Sequence, residues 1–217
     1  MKLIFSFCLL LNLCNAYTKE TLSESPRLFL FKNFLTSEEC DHIIALAKPQ
    51  LLRSQVIDEN RAGGEMVDYR RTSRGMFFPQ FSTDRILKNI EDRISALTGI
   101  ALQNCEGIQV LHYNVGGEYQ PHYDYFHPNT PGGQANLARG GQRVATFIMY
   151  LHTTPSGGET IFPLLNLRIA PQKGSALLFY NCTPEGVVDP RTLHGGAPVI
   201  AGEKWIATRW LHERAFR

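Results

Sequence analysis

The sequence has few cysteines, no long apolar run and no strong excess of either charge. Its 217 residues include five cysteines, 22 Lys+Arg and 20 Asp+Glu, which leaves a net charge of +2. So small a charge gives no basis for binding nucleic acid or an anionic membrane surface. No Cys-x-x-Cys pair occurs, which argues against a thiolate zinc site. No internal repeat or low-complexity tract is present, so the chain does not read as a repeat protein.

The first sixteen residues differ in character from the rest. Met1-Lys2 is a short basic start, and residues 3–13 form an apolar run that is too short to span a bilayer. Cys14-Asn15-Ala16 offers small residues at both recognition positions of a leader peptidase. We therefore predict a secretory signal peptide over residues 1–16, with an uncleaved anchor as the alternative. Either form places the remaining chain in the secretory pathway or outside the cytosol: endoplasmic reticulum lumen, periplasm or medium.

Three cysteines lie beyond the predicted leader: Cys40, Cys105 and Cys182. An oxidising compartment permits one disulfide among them and leaves one thiol over. The sequence does not select the pair.

The N-terminal part of the remaining chain favours helices. Residues 17–26 are polar and are expected to be a loose lead-in to a strand at 27–31. Thr36 and Glu39 have the spacing of a capping box at the start of a helix, which Pro49 ends. A second helix is predicted over about 83–98 from its apolar stripe, with a stop at the glycine that follows.

After residue 105 the pattern favours β structure. Short runs rich in β-formers and bounded by Gly, Pro and Asn occur at 109–113, 143–151, 160–162, 175–180 and 205–211. Closely spaced strands without helices between them argue for a sandwich or barrel. We predict one domain over residues 17–217, mainly β with flanking helices. The expected form is a double-stranded β-helix (jelly roll) with N-terminal supporting α-helices. The polar stretch 58–74 is expected to be a mobile loop.

His122, Asp124 and His194 are the residue types that bind non-haem Fe(II) on one triangular face. Side chains at i and i+2 of a strand point to the same side, so His122 and Asp124 can reach one metal while Tyr123 points away. His194 can come from a distant strand that folding brings alongside. The competing interpretation of the His-x-Asp pair is two polar residues on a half-exposed strand.

The blocks around these residues resemble the catalytic domain of the prolyl 4-hydroxylases, which are Fe(II)- and 2-oxoglutarate-dependent dioxygenases. In chain order they are HYNVGGEYQPHYDYFHP at 112–128, GGQRVATFIMYL at 140–151, GGETIFP at 157–163, KGSALLFYN at 173–181 and DPRTLHGGAPVIAGEKWIATRW at 189–210. NFLTSEECDHIIALAKP at 33–49 and RTSRGMFF at 71–78 are similar, although less specific. The chain is similar to the small single-domain members of the family, because it has no room for a separate peptide-binding domain.

The resemblance implies a role for each matching residue. It makes His122, Asp124 and His194 the iron ligands, and it pairs Lys204 with the distal carboxylate of 2-oxoglutarate. The positions that would hydrogen-bond the same cosubstrate are Tyr113 and Thr160. The positions that would line the peptide site are Tyr119, Arg143 and Trp210. It also implies O2 as the oxidant and ascorbate as a cofactor.

Simpler interpretations exist for several of these positions. Tyr119 and Trp210 have the character of ordinary core aromatics. Arg143 opens an apolar strand, where a salt bridge to a neighbouring carboxylate would explain it. Lys204 could be a solvated loop lysine, but Trp205-Ile206 beside it indicates a strand, where an inward lysine needs a partner.

Three hypotheses for function follow. The first is an extracytoplasmic enzyme that hydroxylates proline in proline-rich peptides to 4-hydroxyproline. It would act as a monomer, without nucleic acid and without stable membrane insertion after leader cleavage. The second keeps the oxygenase chemistry but applies it to another peptide residue, a free amino acid or a small metabolite, since fold does not determine substrate. The third is a non-catalytic jelly-roll module that only binds metal.

Overall fold

Two antiparallel sheets form the body of the protein in the computed structural model, which describes residues 17–217. The predicted leader at 1–16 lies outside the described residues. The N-terminal elements are β1 (Thr18–Glu24), β2 (Arg27–Lys32), α1 (Ser37–Ala47), β3 (Leu52–Arg53), β4 (Val56–Ile57), β5 (Glu65–Met66), β6 (Arg74–Phe77) and α2 (Arg85–Thr98).

The second half supplies most of the sheet structure. Its elements are β7 (Gln109–Tyr113), β8 (Tyr119–His122), α3 (Pro131–Gly140), β9 (Arg143–Tyr150), β10 (Ser156–Gly157), β11 (Thr160–Phe162), β12 (Leu167–Ile169), β13 (Ala176–Tyr180), β14 (His194–Gly196), β15 (Val199–Ala201) and β16 (Lys204–His212). The large sheet has the order β1-β2-β13-β9-β16-β7-β6-β3, and the small sheet has the order β12-β11-β14-β8. This is the predicted jelly roll.

Each face of the large sheet buries a separate apolar core. Successive side chains of a strand point to opposite faces, so Phe147 and Met149 of β9 pack toward α1 and α2. Ile148 and Tyr150 point the other way, toward Phe162 of the small sheet. The predicted supporting helices are therefore present on one face of the large sheet, and the small sheet covers the other face. Within residues 17–217 no helix has both the length and the apolar character needed to cross a bilayer.

Side chains cap both supporting helices at their first turns. The Thr36 hydroxyl accepts from the Glu39 amide at 3.1 Å, and the Glu39 carboxylate accepts from the Thr36 amide at 2.9 Å. These are the two bonds of the predicted capping box. Helix α2 starts behind Asp84, whose carboxylate accepts from two first-turn amides. It ends at Gly99, which adopts a left-handed φ of 72° that favours glycine.

Two sequence predictions about the fold were wrong. Residues 17–26 are not a loose lead-in, because β1 occupies 18–24 and pairs with β2 at the edge of the large sheet. An edge strand needs only one hydrogen-bonded neighbour, so its side chains can stay polar and exposed. The β region is also interrupted by a helix, α3, which Thr130 caps and Pro131 begins. The consecutive glycines at 132 and 133 hid its helical pattern.

The structure also shows two features that the sequence did not predict. The stretch 58–74 includes β5, which pairs with β4 to make a short hairpin. Cys40, Cys105 and Cys182 are all buried free thiols, so no disulfide links them.

One ion pair lies wholly within the protein beside α2. Arg209 of β16 is 0% exposed, and its Nη1 lies 2.5 Å from Oε1 of Glu91, which is 3% exposed. Burial raises the pKa of Glu91, and the charge of Arg209 opposes that rise. Removal of one partner would leave a buried charge without compensation, which costs more than the pair contributes.

We expect Glu91→Leu to lower the free energy of unfolding by about 3–5 kcal/mol, because Arg209 would lose its counter-charge. Urea denaturation followed by circular dichroism measures this change. The double variant Glu91→Leu/Arg209→Met is the matched control and should recover most of the loss. A single variant as stable as the wild type would contradict the expectation.

Candidate metal centre and substrate cleft

The small sheet brings the two candidate histidine ligands together. In the β8–β14 pair, His122 lies directly opposite His194. Asp124 follows two residues after His122, as predicted, but β8 ends at His122 and Asp124 lies in a bend. The Nε2 atoms of His122 and His194 lie 3.6 and 3.5 Å from the two oxygens of Asp124. Ligand atoms of the three residues all lie within 4.8 Å of one another.

Backbone carbonyls set the tautomer of both histidines. Nδ1 of His122 lies 3.0 Å from the Gln120 carbonyl, and Nδ1 of His194 lies 3.0 Å from the Thr192 carbonyl. A carbonyl oxygen only accepts, so each Nδ1 carries the proton. Each Nε2 therefore presents a lone pair toward Asp124, as metal-binding histidines do.

The charge states of the group also suit a metal. Burial opposes ionisation of Asp124, but His194 and His122, when they are protonated, and Arg143 outweigh it and hold the pKa of Asp124 far below its ordinary value. Burial lowers the pKa of His194 to about 4, although Asp124 opposes the shift. An ionised carboxylate and a neutral imidazole are the forms that bind metal ions. The side chains present therefore fit a divalent ion such as Fe(II).

A buried lysine lies across an inner cavity from this group. Lys204 begins β16 and is 3% exposed, so it is not a solvated loop residue. Within residues 17–217 it forms no ion pair with a carboxylate, and its Nζ lies 5.5 Å from the centre of the Tyr113 ring. Burial lowers the pKa of Lys204 to about 8, with a smaller opposing effect from Glu159. A buried cation of this kind needs an anion.

The cavity between the metal group and Lys204 suits an anion with an apolar middle. Its apolar walls are Leu111, Ile148 and Ile206, and both Tyr113 and Thr160 line it. The Thr160 hydroxyl accepts from Tyr150 at 2.8 Å, which leaves its own proton free to donate. A short dicarboxylate with one end at the metal and the other at Lys204 matches these walls.

The three residues predicted to line a peptide site meet in a cleft of about 660 Å³ that opens onto the metal group. The Tyr119 ring stacks on the His122 ring, with centroids 3.6 Å apart. The Arg143 guanidinium lies 4.0 Å from the centre of the Trp210 ring. Arg143 also forms a salt bridge to Glu106 at 2.6 Å, as the simpler interpretation of this residue predicted. Trp210 is 8% exposed, and its indole nitrogen has no partner among the described residues.

Two walls of the cleft touch each other. Glu59, in the β4–β5 hairpin, lines the cleft, as do His127, which precedes α3, and Asn136 and Arg139 within α3. The Glu59 carboxylate accepts from the Thr130 hydroxyl, and the Glu59 carbonyl accepts from the Gly132 amide at 3.1 Å. These contacts join the 58–74 segment, which was predicted to be a mobile loop, to α3, which was not predicted.

Sequence reasoning missed Glu106, Thr146 and Tyr150 at this site. Thr146 and Tyr150 point to the same side of β9 as Ile148, toward the small sheet. Polar side chains on the inward face of an otherwise apolar strand were the signal that could have found them. Glu106 gave no such signal, because it precedes its strand.

Comparison with known proteins agrees with this geometry. The profile of the 2OG-Fe(II) oxygenase superfamily matches residues 108–212. Prolyl 4-hydroxylase 5 of Arabidopsis thaliana is 43% identical over 217 residues, which is 91% of this chain and 72% of that protein. Probable prolyl 4-hydroxylase 8 of the same plant is 44% identical over 213 residues, 89% of this chain and 71% of the other.

A solved structure shows the same fold. The viral collagen prolyl hydroxylase of Paramecium Bursaria Chlorella virus-1, in its 2-oxoglutarate complex, has a TM-score of 0.62 and 28% identity, and covers 84% of this chain and 94% of that chain. The jelly roll and its His-Asp-His group define an Fe(II)- and 2-oxoglutarate-dependent oxygenase. Within that class, the chain belongs to the prolyl 4-hydroxylase family.

The buried amine of Lys204 should give the protein a distinctive pH dependence when metal and cosubstrate are absent. Its pKa is about 8 in the folded protein against an ordinary 10.5, so between these values the unfolded chain binds more protons. Stability then rises with pH. We expect Lys204→Met to be more stable than the wild type at pH 7, with a difference that shrinks as the pH rises from about 8 toward 10.5.

Urea midpoints across this pH range test the expectation. Lys88→Met removes an exposed lysine of α2 and is the matched control. A stability difference between Lys204→Met and the wild type that stays constant with pH would contradict it.

Proposed function

We propose that the protein is a peptidyl-prolyl 4-hydroxylase. It converts proline in proline-rich peptides to 4-hydroxyproline and uses Fe(II), O2 and 2-oxoglutarate, which leaves as succinate and CO2. The observation that carries the proposal is the His122, Asp124 and His194 group facing an otherwise unpaired buried Lys204 across an apolar cavity, within residues 17–217. A pure metal-binding module has no need of that lysine.

In this proposal the three residues of the group would hold Fe(II). The bound metal, with 2-oxoglutarate and O2, supplies the oxidising power for hydroxylation of an unactivated C–H bond. The protein's own tasks are to orient the ligands and to keep bulk water away. The backbone carbonyls behind His122 and His194 perform the first task, and the apolar walls of the cavity perform the second.

We assign the recognition of 2-oxoglutarate to three residues. Lys204 pairs with the distal carboxylate, while Thr160 and Tyr113 donate hydrogen bonds to it. The lysine charge is compensated only when the anion is present. Cosubstrate binding and relief of the buried charge are therefore one event.

We assign the recognition of peptide to the cleft outside the metal group. Proline has no N–H to offer, so a proline-rich chain is recognised through its apolar pyrrolidine rings and its carbonyl groups. Trp210 and Tyr119 supply aromatic surfaces, and Arg143 supplies donors beside them. Ascorbate would serve as the reductant that keeps iron ferrous. We also propose that the protein acts as a monomer in the secretory pathway.

The purified protein should form succinate from 2-oxoglutarate when it is given Fe(II), ascorbate and a proline-rich peptide, and the peptide should gain 16 Da on proline. His122→Ala should abolish both products, because it removes an iron ligand. Mass spectrometry of the peptide reads the modified residue directly. Succinate formation that survives His122→Ala would overturn the proposal. A mass gain on a residue other than proline would favour the wider oxygenase hypothesis.

Trp210→Ala should weaken the use of the peptide more than the use of 2-oxoglutarate. Truncation of a central aromatic anchor weakens peptide binding by about 1.4 kcal/mol or more, which is about tenfold in kcat/KM for the peptide. The KM for 2-oxoglutarate should change less than that for the peptide, although Trp210 also lines the inner cavity. Phe81→Ala removes an exposed aromatic outside the cleft and is the matched control. Equal changes in both KM values would contradict the assigned role of Trp210.

A further inference from the structure

A chain of buried polar side chains leads from the large sheet to the carboxylate of Asp124. The Thr146 hydroxyl donates to Oδ2 of Asp124 at 2.8 Å, and the Asn181 amide nitrogen donates to the Thr146 hydroxyl at 3.1 Å. Thr146 and Asn181 are 0% exposed. We propose that they are positioning residues, which together hold Asp124 with its oxygens toward the two imidazoles. This inference rests on the iron site proposed above.

The direction of the two hydrogen bonds follows from the role of Asp124 as a metal ligand. An ionised carboxylate only accepts, so the Thr146 hydroxyl must give its one proton to Asp124. The same hydroxyl can then only accept from Asn181, which requires the amide nitrogen and not the amide oxygen to face it. The chain therefore runs one way, from Asn181 through Thr146 to Asp124.

The hydrogen bond to Thr146 is the polar contact of the Asn181 side chain within residues 17–217. Its side-chain oxygen is buried without a partner among the described residues. A buried polar atom without a partner costs free energy. The single bond to Thr146 is thus what the amide contributes at this position. A small apolar side chain would avoid the cost but would leave the hydroxyl free to turn.

Both positioning residues are held in the hydrogen-bonded ladder of the large sheet, whereas Asp124 lies outside any strand. Thr146 lies in β9, opposite Phe179 of β13, and Asn181 directly follows β13. The backbone N–H of Asn181 extends the ladder by a 2.9 Å hydrogen bond to the Val144 carbonyl. Asp124 lies beyond the end of β8 in a bend. The polar chain therefore anchors the one ligand that its own strand does not hold.

The arrangement completes a pattern among the three candidate ligands. His122 is oriented by the carbonyl of Gln120, and His194 by the carbonyl of Thr192. Asp124 needs a donor in place of an acceptor, and Thr146 supplies it from the opposite sheet. Partners of this kind typically change metal affinity by ten- to a hundredfold when they are lost.

Metal affinity is the measurement that tests this role. We expect Thr146→Val, which keeps the shape and removes the hydroxyl, to raise the Kd of the metal-free protein for Co(II) about tenfold. The electronic absorption of bound Co(II) gives the Kd without any turnover. Thr146→Ser keeps the hydroxyl and should bind Co(II) nearly as the wild type does. Thr98→Val is the matched control, since its hydroxyl donates to the Ile94 carbonyl at 2.8 Å in α2.

A double-mutant cycle tests whether Asn181 acts through Thr146. Asn181→Ala should weaken Co(II) binding in the wild-type background and have no further effect in the Thr146→Val background, because the link is already broken. An equal effect in both backgrounds, or a Thr146→Val protein that binds Co(II) like the wild type, would overturn the inference. Where Thr146→Val does not fold by circular dichroism, an unchanged Kd in Asn181→Ala overturns it alone.

The same titrations separate this inference from the proposed function. If His122→Ala binds Co(II) as the wild type does, the iron site itself is wrong. If His122→Ala loses Co(II) binding but the variants at positions 146 and 181 keep the wild-type Kd, only the positioning role is wrong.

Discussion

The pairing of β8 with β14 is the constraint on which the rest of the centre depends. That pairing sets His122 opposite His194 and fixes two imidazoles side by side. A shift by one residue would turn one imidazole to the other face of the sheet, because side chains alternate along a strand. Gly195 follows His194 in β14, and an added Cβ there would lie 2.8 Å from the Tyr119 carbonyl of β8. The two backbones approach closely enough that only glycine fits, so this register is built into the sequence next to the ligand it places.

Around this pairing the protein keeps several charges away from water. Asp124, Lys204 and the Arg143–Glu106 pair are all buried or nearly so, and each would be costly alone. Of these groups, only Arg143 and Glu106 form an ion pair with each other within the described residues. The carboxylate and the lysine are instead balanced by the ligands of the proposed reaction, a cation at one end of the cavity and an anion at the other. The protein thus gives up stability in its ligand-free form and regains it when metal and cosubstrate bind.

Much of this was predictable from the residues, and the exceptions have physical reasons. The capping box at Thr36 and the strands of the jelly roll rest on local patterns, and the pairing of His122 with Asp124 rests on their spacing; His194 was added through the resemblance to the prolyl 4-hydroxylases. Edge strand β1 was missed because one-sided pairing leaves no apolar alternation, and α3 was missed because its glycines dilute the helical pattern. The link from Asn181 through Thr146 could not be predicted, since it depends on which strands become neighbours. Long-range pairing decides those contacts, and no single segment records it.

The contact between Glu59 and the start of α3 separates two tasks of the molecule. It joins the hairpin to the start of α3 by two hydrogen bonds between partly buried groups, outside the two apolar cores. A hydrogen bond contributes only about 0.5–1.5 kcal/mol net, because water replaces it when it breaks. The residues that hold this wall of the cleft are therefore distinct from those that would hold iron and 2-oxoglutarate in the proposed enzyme. Substitutions in the hairpin and in α3 can change this wall while His122, Asp124 and His194 stay in place.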